Sequence, residues 1–439
     1  MNKIHRKIWS ASRGAFVVVA ETTRSRGKTS AGVSGALLAG VLLSTGVAAQ
    51  TVGAGALPTG GQVTAGQAAI ATQGSVMNVS QSSQRAAINW QSFNIGSGAT
   101  VNFQQPNASA VALNRVVGTE QSVIDGALNA NGNVYLLNAN GVLFNRSAQV
   151  NVGGLVASTL DISDADFMAG KSTFETNGTR GSVINLGTLT AANAGQIALL
   201  GQHVANEGVI NATLGTAILA AGDKVTLNFN GDSLVGVTVD RGTLNALVEN
   251  KNAIVADGGL VTLTAKGLDA VMQTVVNNTG EIRAQTIQNK AGKIYLLGGM
   301  EHDRIEVGGK LDASAPNGGD GGFVETSAAN VKFLDGLQVA TQSSNGTHGQ
   351  WLIDPTDFTI AASGGDMTGS ALGGYLASNN ITISTGTGTN TATSYFGASG
   401  QGGSIYVNDD VAWSSNNTLT LHADSNIYIN KTITSSGTT

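Results

Sequence analysis

The side chains of this chain that could do chemistry are few and poorly spaced for it. Two acidic clusters stand out, Asp409-Asp410 and Glu301-His302-Asp303-Arg304. Cleaving a glycan needs paired carboxylates on one face, one to give a proton and one to take it or hold charge. Adjacent residues of an extended chain point to opposite faces, so spacing alone aligns neither cluster. Both read as solvated turns. His5, His203, His302, His348 and His422 lie far apart, without metal-ligand spacing. The run Asn317-Gly318-Gly319-Asp320-Gly321-Gly322 has the composition of a calcium-binding turn, but one copy lacks the stacked neighbour that completes such a site. There is no Gly-x-Ser-x-Gly elbow, phosphate loop or dinucleotide fingerprint. With no Cys, thiolate metal ligands and Cys nucleophiles are excluded. The reading is a non-enzyme with no metal and no cofactor.

The elements that carry these residues are short strands. Gly accounts for 60 of 439 residues and Pro for only 4, among many Val, Ile, Leu, Ala, Thr and Asn, which favours strands joined by tight turns. Aromatic residues are 5% and charged residues 12%, so the core is expected to be thin, aliphatic and elongated. Formal charge is −5, unevenly placed: residues 1–49 hold seven basic groups and Glu21, leaving 16 basic and 27 acidic groups, or −11, for the rest. An acidic body of this kind is not a nucleic-acid binder.

The amino end reads as an address. Nineteen uncharged residues, 31–49, follow Lys28 and close on Val47-Ala48-Ala49, which places signal cleavage between Ala49 and Gln50. The segment is short, rich in Gly and Ala and without a basic stop signal, which disfavours a membrane anchor. Before it stands a basic and apolar preface with Trp9, Arg13, Gly14, Val18 and Val19. That run resembles the extended signal peptide region of very large exported proteins of Gram-negative bacteria.

From residue 50 to about 160 apolar residues alternate with period two, broken by turns. The turn Asn138-Ala139-Asn140-Gly141-Val142 lies between Val134-Tyr135-Leu136-Leu137 and Val142-Leu143-Phe144, and a hairpin is its default reading. The segment also contains Asn89-Trp90-Gln91-Ser92-Phe93-Asn94-Ile95, Val101-Asn102-Phe103, Asn114-Arg115-Val116, Ile124-Asp125-Gly126, Asn131-Gly132 and Ala157-Ser158-Thr159. In this order the motifs resemble the filamentous haemagglutinin family, specifically the amino-terminal secretion domain of two-partner secretion exoproteins in the high-molecular-weight adhesin branch. The family commonly has Pro where Ala139 stands. The resemblance implies a right-handed parallel β-helix with an amino-terminal cap. It also implies recognition by an outer-membrane barrel transporter through polypeptide-transport-associated domains. Candidate recognition residues are Asn89, Trp90, Phe93, Asn94, Ile95, Asn114, Arg115, Asn138, Asn140 and Gly141. For Asn138 and Asn140 the plainer reading is a turn with stacked side-chain amides.

Repeats extend the pattern. Asn185-Leu186-Gly187, Asn206-Glu207-Gly208 and Asn278-Thr279-Gly280 open one unit, with the second copy read as slipped by one residue. A companion strand opens with Gly195, Gly215, Gly259, Gly292 or Gly322. One unit cannot bury its apolar face alone, so stacked parallel coils are expected, some fifteen of them. The turn at 138–142 then becomes a corner between faces. The expected organisation is a signal peptide over 1–49, a secretion domain over 50–170, further coils over 171–345 and a Ser/Thr/Gly/Asn-rich stalk over 346–439. The chain is expected to be the front part of a longer protein. The function implied is a secreted or surface-exposed adhesin, with a host-cell or bacterial surface receptor or glycan as partner. The alternative is a delivery stalk for a toxin, which a compact, compositionally distinct downstream end would reveal.

Overall fold

Short aliphatic runs separated by Asn and Gly turns expose an apolar face on every strand, and stacking is what buries it. The computed structural model describes residues 5–10, 15–20, 52–178, 181–229, 234–268, 272–386 and 403–437. It divides into two units, Met1–Ala48 and Ala49–Thr439. The first pairs His5–Ser10 with Ala15–Ala20 antiparallel. The expected cleavage point, Ala49 and Gln50, lies outside the described residues.

The second unit is a β-solenoid. Its long sheet has thirteen strands, from Gln62–Ala65 to Leu419–Ala423. A second sheet has eleven, from Ala68–Gln73 to Gln338–Ala340, and a third has eight, from Ser122–Ile124 to Asn330–Phe333. Twelve strands of the long sheet are parallel, one per coil, and the thirteenth, Gln62–Ala65, is antiparallel to Arg85–Trp90. The described residues therefore make about twelve coils, not fifteen, in a stack about 50 Å long. Long excursions between strands account for the shortfall.

The chain passes from the long sheet to the third and then to the second before returning. Asn133–Leu137 lies in the long sheet and Val142–Phe144 in the third, each with parallel neighbours on both sides. Residues 138–141 therefore form a corner. Gly141 has φ 115°, a value that a side chain would strain.

Inside the coils one continuous apolar core runs from Met77 to Val411, mostly Val, Ile, Leu and Ala. Its period-two source is plain in strands such as Val76–Gln81, where Met77, Val79 and Gln81 are buried in alternation. The corner that opens each strand of the long sheet is crowded. A Cβ built on Gly215 would overlap the carbonyl oxygen of Gly195, and one on Gly349 that of Gly322. Only Gly lets successive coils approach there.

A second layer lies outside. Gln196–Gly201 and Thr216–Ala221 are buried at every position, so both faces of the long sheet are covered here. The cover is a helix, Asp164–Met168, with three antiparallel strands, Thr173–Glu175, Lys224–Phe229 and Val235–Arg241. Phe167, Phe174, Val225, Leu227 and Val237 pack there against Leu113, Tyr135, Val156, Leu200 and Ile218.

Candidate functional site

The expected recognition residues occupy successive coils and lock them together. Trp90, 1% exposed, donates from Nε1 to Asn114 Oδ1 at 3.0 Å and meets the Phe93 ring edge-on at 5.5 Å. Asn114 is itself fully buried and donates to the carbonyls of Ala112 and Tyr135 at 3.3 and 3.2 Å. An Asn in an apolar core is tolerated because its amide is satisfied by a ring N–H and two carbonyls. Phe93 and Ile95 enter the inner core. Asn94 Oδ1 accepts the Val123 N–H at 2.8 Å, and Ile95 bridges to Ile124, which fastens the first coil to the next.

Arg115 projects outward beside Asn89, whose Oδ1 accepts from it at 3.3 Å. Its guanidinium donates to Asp161 at 2.8 Å, to Asp164 at 2.5 Å and to the Ile162 carbonyl. Burial works against the charge, but the two carboxylates outweigh it and hold the Arg115 pKa above its ordinary value. Burial likewise opposes ionisation of Asp164, while bonds from Arg115 and Thr64 carry its pKa below the usual carboxylate range. These acidic partners, 46 and 49 residues downstream of Arg115, were missed in the sequence.

The turn completes the set. Asn138, 1% exposed, donates to the Glu120 carbonyl at 2.9 Å and to Ser122 Oγ at 3.0 Å, and its Oδ1 accepts the Asn140 N–H at 2.9 Å. Asn140 Nδ2 reaches the Gly118 carbonyl at 3.0 Å. These amides bind the preceding loop and each other, Asn140 Nδ2 also donating to Asn138 Oδ1 at 3.2 Å, and form no ladder from coil to coil. The stacked amides lie elsewhere, in the repeat asparagines. Asn185 donates to Asn206, Asn206 to Asn250 and Asn250 to Asn278, each at 2.8 Å, and Asn278 ends on the Gly308 carbonyl at 2.7 Å. All four are fully buried. Asn185 and Asn206 stand in register, so the supposed slip between those copies is absent. Asn250 falls outside the repeat pattern because Asn252 stands where the other copies have Gly.

Of the acidic clusters, Asp409-Asp410 lies at a turn, but Asp303 is buried and opens the strand Asp303–Val307, so the solvated turn expected there is confined to Glu301 and His302. Asp303 Oδ2 accepts N–H groups of Gly267 and Gly299 at 3.0 and 2.8 Å, Asp409 accepts from Gly369 at 2.9 Å, and Asp410 from Thr432 at 2.9 Å. Asp320 accepts from the Thr347 backbone and hydroxyl. Among the described residues no group of three His, Asp or Glu side chains is placed to hold a metal ion.

A parallel solenoid whose first coils are tied by these motifs has the form of an exoprotein secretion domain. Residues 54–313 match the TPS secretion domain, more than half of the chain, and the chain belongs to that family. Residues 1–50 match the Extended Signal Peptide of Type V secretion system, so the chain carries an export address. A heme/hemopexin-binding protein of Haemophilus influenzae strain Rd is 35% identical over 254 residues, which is 56% of this chain and 27% of that protein. A second protein of that name from Haemophilus influenzae is 34% identical over 250 residues, 51% of this chain and 26% of the other. The chain thus spans about a quarter of the length of the curated relatives it matches. The crystal structure of the HMW1 secretion domain from Haemophilus influenzae has the same fold, with TM-score 0.61 and 23% identity, covering 86% of this chain and all of that one.

Proposed function

We propose that this chain is the front part of a secreted or surface-exposed adhesin exported by a dedicated outer-membrane barrel with polypeptide-transport-associated domains. Residues 50–170 are its transport signal and folding nucleus, residues 171–345 its further coils, and residues 346–439 the start of a stalk. The coils wind right-handed. The antiparallel strands Gln62–Ala65 and Ala68–Gln73 cap the amino end, closing sheet edges that would otherwise recruit other chains.

One observation carries the reading of the transport signal: Trp90, Phe93, Ile95, Asn114 and Asn138 are all buried once the coils close. A transporter therefore meets these side chains only while the segment is unfolded. After passage they become the interlocks of the first coils. Each new coil is templated by the one before, and its burial favours onward movement without a nucleotide energy source. Co-expression with the partner barrel tests this. Deleting residues 89–142 abolishes export while the precursor still reaches the periplasm; undiminished export of that deletion would sink the proposal.

A second reading draws on the names of the relatives. Binding of haem or hemopexin would then reside in the full-length protein, with this chain as its export module. Affinity capture by immobilised hemopexin of the full-length product, but not of residues 50–439, separates the two.

A further inference from the structure

The outer cover of the long sheet reaches as far as Leu297. From this coil onward the outer positions mix polar side chains with Phe323 and Leu352. The register sets Lys293 beside Phe323, Phe323 beside Gln350, and Gln350 beside Asn380. Thr418 follows, its N–H bonded to Asn380 Oδ1 at 2.9 Å. A groove of about 560 Å³ runs along this line and crosses five coils. Gly292, Gly322 and Gly349, whose backbones approach one another closely at the strand starts, form part of its wall.

The lining has a definite chemistry. Phe323 is half-buried with its ring 5.8 Å from that of Tyr295. Gln350 Nε2 is held by Thr382 Oγ1 at 2.7 Å, and Thr418 and Thr420 are exposed. His348 is pinned on the rim by Asn417 at 2.8 Å. Among the described residues no carboxylate lines the groove, although beyond residue 49 acidic groups outnumber basic ones 27 to 16. Lys293 is the one ammonium in the lining and stands at one end.

We propose that this groove binds an uncharged polysaccharide in an extended conformation, laid along the axis of the stack. The coil spacing of about 4.8 Å is close to the length of one pyranose in an extended chain, so successive sugars meet equivalent positions. Amides and hydroxyls match sugar hydroxyls, and the Phe323 ring matches the C–H face of a pyranose. An acidic polymer would find a cation only at the Lys293 end. A peptide strand would need a free sheet edge; the strands from Lys293–Leu297 to Asn380–Thr385 are paired on both sides, and one added beside Leu419–Ala423, which ends the sheet, would lie across the groove and not along it. The proposal rests on the surface-exposure reading above, yet its test uses purified protein and is independent of export.

Isothermal titration of the purified chain with cellohexaose, chitohexaose and a hyaluronan hexasaccharide decides it. A neutral hexasaccharide should bind at least about tenfold more tightly than its disaccharide, because only the longer chain spans the coils. Phe323→Ala and Gln350→Glu should each weaken it at least about tenfold. Gln350 is exposed, so its variant keeps the fold and decides the matter if Phe323→Ala lowers the melting temperature. Absence of heat with both neutral hexasaccharides, binding of hyaluronan alone, or equal affinity in the Gln350→Glu variant would overturn the proposal.

Discussion

Asn250 receives one amide proton from Asn206 and passes its own to Asn278, wholly out of reach of water. Replacing it by Ala strands the Asn206 donor and the Asn278 acceptor together. Each buried unsatisfied group costs about 1–3 kcal/mol. Asn250→Ala is therefore expected to lose several kcal/mol in urea melts. A second ladder runs over the early coils, Asn102 donating to Asn78 at 3.1 Å, Asn129 to Asn102 at 3.0 Å and Asn151 to Asn129 at 3.5 Å, and Asn151→Ala at its exposed end changes little. Two carboxyls on the outer side of the long sheet set a pH dependence. Burial pushes Glu325 up to about 8, the Asp354 charge adding to it despite a bond from Ser327, and burial with the Asp424 charge pushes Asp354 up to about 7. A carboxyl whose folded pKa exceeds its unfolded value favours the fold while protonated. Its contribution is full below the unfolded value near 4 and is lost as pH rises through 7 and 8. The melting temperature should fall between pH 5 and 9, and Glu325→Gln should flatten that fall. An unchanged profile in the variant would remove Glu325 as its source.

At the scale of elements, the outer layer is assembled from segments far apart in the chain. Thr173–Glu175 pairs with Lys224–Phe229, and Glu175 meets Lys224 and Arg241. Removing residues 224–241 uncovers Val156, Leu200 and Ile218, so the shortened chain should bind a hydrophobic dye strongly and aggregate. Arg115 ties the early coils to the same layer. Arg115→Ala leaves Asp161 and Asp164 without their cation; both are partly exposed, so the expected loss is about 1 kcal/mol, and Arg115→Lys should recover part of it. The repeats in the sequence announced the strands of the inner core, but not this cover. A signal was present: Ile197-Ala198-Leu199-Leu200 and Ala217-Ile218-Leu219-Ala220 are apolar at odd and even positions alike, which a sheet with one wet face does not need.

Over the whole stack, stability is close to a sum of coil contributions and nearest-neighbour contacts, and one broken contact can part the solenoid. Gly215 offers the place. A valine there overlaps the Gly195 carbonyl, and the stack should separate into a resistant amino-terminal part and a digestible remainder under limited proteolysis. Uniform resistance along the chain would contradict this. The strand type and the solenoid were legible in the residues themselves, because alternation, Gly corners and recurring Asn act within one coil or between adjacent coils, whereas the class of protein was legible through the resemblance of its ordered motifs to a known family. The corner at residues 138–141 was legible only once the repeats were seen, since a local turn does not say which sheet follows it. Three things needed the assembled structure: the partners of Arg115, the antiparallel cover, and the groove beside Phe323. Each joins residues that are close only after several coils have stacked, with excursions of uneven length between them. Chain spacing carries no trace of such a meeting, whereas a stacked register fixes it.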